Sequence, residues 1–207
     1  MDYKSIFRII GINIKHNFVT HLLIALAIAL LIPALSGITS LTGREAARPL
    51  EMMLSLTGIV LLAPIFLPEQ NENIRDLIRS KRMDYLTVCL IRLIYSIFFL
   101  AIICGGFTYI MYCWESETTF RHFAGCFISA LFLGALGFFS AGVSKNTIIG
   151  YMISMIYYMA NYAMKDELNH FYLFSMSSGS FSEKYWLLGG AAVLITVTFM
   201  CLKIFRN

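Results

Sequence analysis

The feature that most constrains this chain is a series of long apolar blocks that contain almost no charged residues. A helix needs roughly 20 mostly apolar residues to cross a hydrocarbon core of about 30 Å. Six blocks meet that requirement: 21–41, 51–67, 85–114, 123–143, 147–164 and 185–202. Because the segments between them are too short for a folded enzyme domain of typical size, residues 1–207 are predicted to form one all-α, polytopic membrane domain with about six transmembrane helices.

The composition agrees with a membrane protein and gives little sign of metal chemistry. The chain is 58% hydrophobic and 14% charged, whereas soluble domains average roughly 45–50% hydrophobic and about 25% charged residues.

The first block resembles a signal peptide, because basic residues precede it and Pro33-Ala34-Leu35-Ser36 lies at its end. The charged segment is too long for a signal peptide, so an uncleaved span is predicted. The five cysteines form no C-x-x-C pair and are interpreted as small apolar residues, with no metal site.

The basic residues divide unequally between the two sets of connections, which predicts the orientation. The positive-inside rule places the richer side, with both termini, in the cytoplasm. That side has Lys4, Arg8, Lys15, Arg75, Arg79, Lys81, Arg82, Lys145, Lys203 and Arg206; the other side has Arg44, Arg48, Arg121, Lys165 and Lys184. The acidic Glu51 is assigned to the outer side together with Lys184. The net charge of +4 therefore lies mainly at the inner leaflet, so no nucleic-acid partner is expected.

Two cytoplasmic segments have an amphipathic pattern. In residues 1–18, Ile6, Ile9 and Ile10 alternate with basic residues, which predicts an interfacial helix among lipid headgroups; a plain basic extension is the alternative. The second segment, residues 69–83, follows Pro68, which favours a helix start. Its acidic residues come first and its basic residues last, as the helix dipole favours, and an apolar stripe lies at helical spacing. The stripe is Ile74, Leu77 and Ile78. It indicates docking to a cytoplasmic partner, or packing of the helix on the protein's own inner face.

The last connection, residues 165–184, has an aromatic centre that is too short to span the membrane. Phe171, Phe174 and Phe181 lie within it. Aromatic residues are favoured at the membrane interface, so short helices that dip into the outer interface are predicted here.

The spans lack the groups that would provide energy or catalysis. Only Arg92 lies within an apolar block, near its inner end, where its side chain is expected to snorkel. An ion-coupled transporter would need an acid, a lysine or a histidine near the membrane midplane, and none is predicted there. The chain also has no G-x-x-x-x-G-K-[ST] motif for ATP binding. A nucleophile–base pair of Ser140 with His122 or His170 is disfavoured, because about 27 Å of helix separates Ser140 from His122 and His170 lies in an outer loop.

The fourth block carries small residues on one face. Ala130, Gly134, Gly137 and Ala141 recur at steps of four, three and four. Such strips let helices approach closely in a bilayer. The strip predicts tight packing, either within the chain or in a dimer.

The order of these parts, and several local motifs, resemble the membrane (permease) subunits of type-2 ABC exporters. The motifs are Phe66-Leu67-Pro68-Glu69, the Ile-x-x-Leu-Ile run 74–78, Ser80-Lys81-Arg82, Arg92, the segment 132–137, Ser144-Lys145-Asn146-Thr147 and Gly150-Tyr151. The resemblance covers nearly the whole chain, although the chain has no large outer domain.

The resemblance implies specific roles for these residues. Residues 73–82 are expected to be the coupling helix that docks on a separate ABC-type ATP-binding subunit, through Ile74, Arg75, Leu77, Ile78 and Arg79. A charge pair of Glu69 with Arg92 is expected to support it, and residues 168–181 resemble the outer re-entrant helices of the family. ATP and Mg would bind that partner, no cofactor would bind this chain, and a second permease subunit would face it in the lipid.

In such exporters the fifth span helps to line the path, which assigns Tyr157, Tyr158 and Asn161 to it. These polar side chains in an apolar lining fit an amphipathic cargo, such as a peptide antibiotic, a drug or a lipid-like molecule. The protein is expected to lie in a bacterial cell membrane. Peptide export or self-immunity is the first expectation. The alternatives are a non-transporting scaffold or sensor subunit and, with less support, an intramembrane hydrolase.

Overall fold

A computed structural model describes residues 18–70, 85–164 and 169–204, and all regular secondary structure in these ranges is helical. Six long helices follow one another: α1 (Val19–Ser36), α2 (Gly43–Pro68), α3 (Tyr85–Cys113), α4 (Phe120–Ser144), α5 (Thr147–Ala163) and α6 (Ser182–Ile204). Two short 3₁₀ turns, Asn169–Phe171 and Met176–Ser178, lie between α5 and α6. The predicted interfacial helix, except its last residue, and most of the predicted coupling helix lie outside the described residues.

Five of the helices, α1 to α4 and α6, are long and apolar enough to cross a membrane. Helix α5 has 17 residues, at the lower limit of the usual range for a span. The protein is therefore a multi-pass helical membrane protein. The number six and the location of the termini stay predictions.

The sequence misplaced two helix ends near residue 40. Helix α1 ends at Ser36, not at Leu41, because Gly37 adopts a positive φ of 64° that glycine tolerates without steric cost. Helix α2 begins at Gly43, eight residues before the predicted start at Glu51. The Thr42 side chain and Glu45 form a capping box at this point, which satisfies backbone N–H groups at the new start.

Helix α2 changes geometry along its length. It is α-helical over Gly43–Arg48, π-helical over Pro49–Leu54 and α-helical again over Leu56–Leu62. It ends within a 3₁₀ helix, Ala63–Gln70, which extends two residues beyond Pro68. Prolines at 49, 64 and 68 lack the N–H that a regular ladder requires, and they lie in the π-helical and 3₁₀ stretches. The apolar block is thus one span with local irregularities.

Helices α2 and α4 form the centre of the bundle. In the most apolar 18-residue window of each, 72% of residues are buried, against 11% in α1 and 17% in α6. Helix α4 packs on α2, α5 and α6, and a stacked pair, Phe66 and Phe138, joins its C-terminal half to α2. The outer faces of α1 and α6 are apolar and exposed, as expected for surfaces that contact lipid.

The small-residue strip of α4 is buried between helices of the same chain. Ala130 and Gly134 contact α2 at Gly58, while Gly137 and Ala141 contact α5 at Gly150. Of the two uses that the sequence leaves open, the structure shows the internal one. Gly58 and Gly150 complete these contacts, although the sequence pattern of α4 alone does not identify them.

The connection between α5 and α6 is folded back into the bundle. Leu173 and Phe174 are 0% and 1% exposed, and they pack with residues of α2, α4 and α6 in one apolar cluster. This part of the segment is therefore buried inside the bundle, whereas Phe171 at its edge is exposed; its position relative to the membrane interface stays a prediction. We call residues 172–177 the re-entrant segment.

Candidate functional site

Glu51 lies inside the protein, about 12 Å along α2 from its first residue at 1.5 Å per residue. The side chain is 0% exposed. It belongs to the π-helical stretch Pro49–Leu54, and the Ser55 hydroxyl donates to the Glu51 carbonyl at 2.5 Å. Single π-helical turns within α-helices frequently occur at functional sites, and here the turn carries the buried acid.

Lys184, near the start of α6, pairs with Glu51. The distance from Lys184 Nζ to Glu51 Oε1 is 2.5 Å, and both side chains are 0% exposed. The same ammonium donates to the Ser129 hydroxyl of α4 and to the Leu173 carbonyl, each at 2.6 Å. The three donors of a lysine are thereby matched by three acceptors.

The carboxylate of Glu51 also holds the re-entrant segment. The backbone N–H groups of Met176 and Ser177 donate to Oε1 and Oε2, each at 3.0 Å. One acid and one base therefore connect α2, α4, α6 and the re-entrant segment, and their charges cancel. Removing one partner of such a pair leaves an uncompensated buried charge, so the pair can be expected to move as a unit if the helices rearrange.

This pair is what the sequence analysis missed. Their position on the outer side of the membrane stays a prediction, but their pairing inside the bundle was not predicted from the sequence. The missed signal is the Thr42-x-x-Glu45 capping box, which marks a helix start at residue 43 and so places Glu51 two turns inside.

The three residues assigned to a transport path on α5 make hydrogen bonds within the chain. Tyr157 and Tyr158 donate their hydroxyls to the carbonyls of Phe171 and Met52, each at 2.6 Å. Asn161, which is 0% exposed, accepts from the Leu173 N–H at 2.8 Å and donates to the Tyr157 carbonyl at 3.0 Å. Asn161 thus braces the re-entrant segment, Tyr158 braces α2, and Tyr157 braces the 3₁₀ turn that precedes the segment. Their role in a path stays a prediction.

Replacing Asn161 by leucine should lower the free energy of unfolding by about 1–3 kcal/mol, because the buried Leu173 N–H loses its acceptor. Thermal unfolding of the purified protein in detergent measures this loss. Tyr162→Phe, on an exposed neighbour, is the control and should leave the midpoint unchanged. Equal midpoints for the two variants would show that the Asn161 contact does not stabilise the segment.

Arg92, on α3, lies near the C-terminal end of α2. Its side chain is 4% exposed, and Nη1 donates to the Ile65 carbonyl at 3.0 Å. The guanidinium thus lies inside the protein, and its expected snorkelling toward the inner interface stays a prediction. The side chain of Glu69, its predicted partner, lies outside the described part, as do the docking residues Ile74, Arg75, Leu77, Ile78 and Arg79.

The residues considered for a hydrolase make other contacts. Ser140 donates its hydroxyl back to the Leu136 carbonyl at 2.7 Å. The His122 ring lies 2.8 Å from the Gly43 carbonyl, and the His170 ring stacks on Trp186. Among the described residues, no group of three or more His, Cys, Asp or Glu side chains is placed to hold a metal ion.

Comparisons with known protein families, with curated protein sequences and with solved structures found no match. The functional argument therefore depends on the residues and contacts of this chain.

Proposed function

We propose that this protein is the membrane subunit of a type-2 ABC exporter in a bacterial cell membrane. It would move an amphipathic cargo, such as a peptide antibiotic, a drug or a lipid-like molecule, with energy from ATP hydrolysed by a separate subunit. The observation that carries the proposal is the re-entrant segment, which enters the bundle immediately before the last helix and is held there by Glu51 and Lys184. The resemblance implies short re-entrant helices at this place.

The packing of the helices supports transmission of force through the bundle. Helix α2 runs from the end near the re-entrant segment to the end that leads into the predicted coupling helix. It contacts α4 through backbone at Gly58 and through the Phe66–Phe138 stack. Close-packed interfaces of this kind transmit displacements instead of absorbing them. A push on residues 73–82 would therefore reach the re-entrant segment through α2 and Glu51.

The proposed cycle uses this connection. ATP binding draws the two nucleotide-binding subunits together, and the coupling helices shift with them. Helix α2 then carries the displacement to Glu51, so α6 and the re-entrant segment move with it while the buried charges stay paired. Two permease subunits, identical or related, would open between them a path for the cargo. Neutral side chains dominate the exposed faces, which suits an amphipathic substrate.

Changing Ile74, Leu77 and Ile78 together to aspartate should abolish ATP-driven transport and leave membrane insertion intact. Three carboxylates would replace the apolar stripe that is expected to be buried against the ATP-binding subunit, and burying unpaired charges is costly. The measurements are ATP-dependent flux into inverted vesicles and co-purification of an ATPase.

The matched control is Asn73→Asp with Ser80→Asp, which adds two acids to the same predicted helix at positions outside the apolar stripe. It should retain most of the flux. Normal flux with the triple variant would contradict the proposal. Absence of both an ATPase partner and ATP-dependent flux in the wild-type protein would instead favour a scaffold or sensor subunit.

A further inference from the structure

A cleft of about 470 Å³ opens beside the re-entrant segment, between the first turns of α2 and α4 and residues 176–181. Small-molecule sites usually have volumes of roughly 300–1,000 Å³, so the cleft has room for more than a bare inorganic ion. Its walls include Arg44, Arg121, His122, Met176, Ser180 and Phe181. Two cationic side chains thus face a space that no described residue fills.

The two guanidinium groups have no acidic partner among the residues that the structure describes. Both side chains are exposed. The carboxylates nearby are bonded to other donors: Glu45 to the N–H and hydroxyl of Thr42, Glu117 to the Gly43 N–H, and Glu183 to the Ser180 hydroxyl. The cleft therefore offers two guanidinium groups whose N–H donors are not used within the described chain.

His122 contributes shape and not charge. The Thr119 N–H donates to its Nδ1 at 3.0 Å, so that nitrogen is an acceptor and the ring is neutral. Nε2 then carries the hydrogen and donates to the Gly43 carbonyl at 2.8 Å. The ring ties the beginning of α4 to the beginning of α2, which fixes the two arginine-bearing turns relative to each other.

Aromatic side chains show the depth of the cleft in the membrane. At the same end of the bundle, exposed tyrosine, tryptophan and phenylalanine residues surround the helix termini. Such residues concentrate at the level of the lipid headgroups. They are Tyr112, Trp114, Phe120, Tyr185 and Trp186. The cleft, lined by the first residues of α2 and α4, lies at this level, where lipid phosphates are the most abundant anions.

We propose that this cleft is a binding site for the phosphate group of an anionic phospholipid headgroup, held by Arg44 and Arg121. Guanidinium matches phosphate oxygens with paired N–H donors, and the remaining volume accommodates the rest of the headgroup. Because Met176 lines the cleft and donates its N–H to Glu51, a bound headgroup contacts the segment held by the buried ion pair. The proposal does not depend on ATP-driven export, since binding can be measured without a partner subunit.

The test is binding of short-chain phosphatidylglycerol, dihexanoyl-phosphatidylglycerol, to the purified full chain in neutral detergent, followed by calorimetry. Changing Arg44 and Arg121 together to glutamine should weaken binding at least tenfold. Changing both to lysine should recover part of the affinity, because the charge stays while the paired donors are lost. Added salt should weaken binding to the wild-type protein, since the contacts are exposed and screened.

The matched control is Arg48→Gln, which removes an exposed cation from the same end of α2 but outside the cleft. It should bind the lipid as the wild-type protein does. Unchanged affinity in the double glutamine variant would overturn the proposal. Inorganic phosphate that binds as tightly as the lipid would also overturn it, since the site would then recognise a free anion and not a headgroup. Thermal unfolding of every variant confirms that the fold is retained.

Discussion

Replacing Lys184 by methionine should lower the free energy of unfolding by about 3–5 kcal/mol, because Glu51 would remain buried without its cation. Methionine is similar in length and apolar, so the loss reports mainly the missing charge. The backbone N–H groups of Met176 and Ser177 still donate to Glu51, but they do not replace the lost ammonium group. Thermal unfolding in detergent and the yield of folded protein measure the effect.

The reference for this substitution is Lys203→Met, at the exposed end of the same helix, which should be nearly neutral. The double variant Glu51→Gln with Lys184→Met removes both charges and keeps an acceptor for the re-entrant segment. It should therefore be more stable than the Lys184→Met variant, and the double-mutant cycle gives the coupling energy between the two residues. If Lys184→Met were as stable as Lys203→Met, the pair would not hold the segment.

The sequence predicts most of the helices because crossing a bilayer sets a length and a composition that few other structures require. The observed α5 begins at Thr147, as predicted. The ends that differ are those where local chemistry, not hydropathy, decides. Gly37 ends α1 through its backbone conformation, and the capping box at Thr42 and Glu45 begins α2 among residues that are not especially apolar.

The site was less predictable for a related reason. Hydropathy treats Glu51 and Lys184 as separate charges at the margins of two blocks, 133 positions apart in the chain. Their pairing depends on how α2 and α6 lie around α4, which a single sequence does not specify. The hydrogen bonds of Asn161 and Tyr158 to backbone groups were likewise invisible, since a polar residue on an apolar helix is compatible with a path, a helix contact or a brace.

Replacing Gly58 by alanine should destabilise the bundle by about 3 kcal/mol or more, at the upper end of the cost of overpacking. A Cβ at this position would lie 1.8 Å from the carbonyl oxygen of Ala130 and 2.5 Å from its carbonyl carbon. These are backbone atoms, which cannot rotate away as a side chain can. The two most buried helices, α2 and α4, would have to move apart, and thermal unfolding measures the cost.

Two further variants separate this contact from a general effect of adding a methyl group. Gly106→Ala, on α3, meets no atom within 4 Å, so it should be neutral or slightly stabilising, because alanine favours the helix over glycine. Combining Gly58→Ala with Ala130→Gly should not restore stability, since the obstacle is the carbonyl of residue 130 and not its methyl group. Recovery in that double variant would mean that α2 and α4 approach each other through side chains, and the close backbone contact at the centre of the bundle would be wrong.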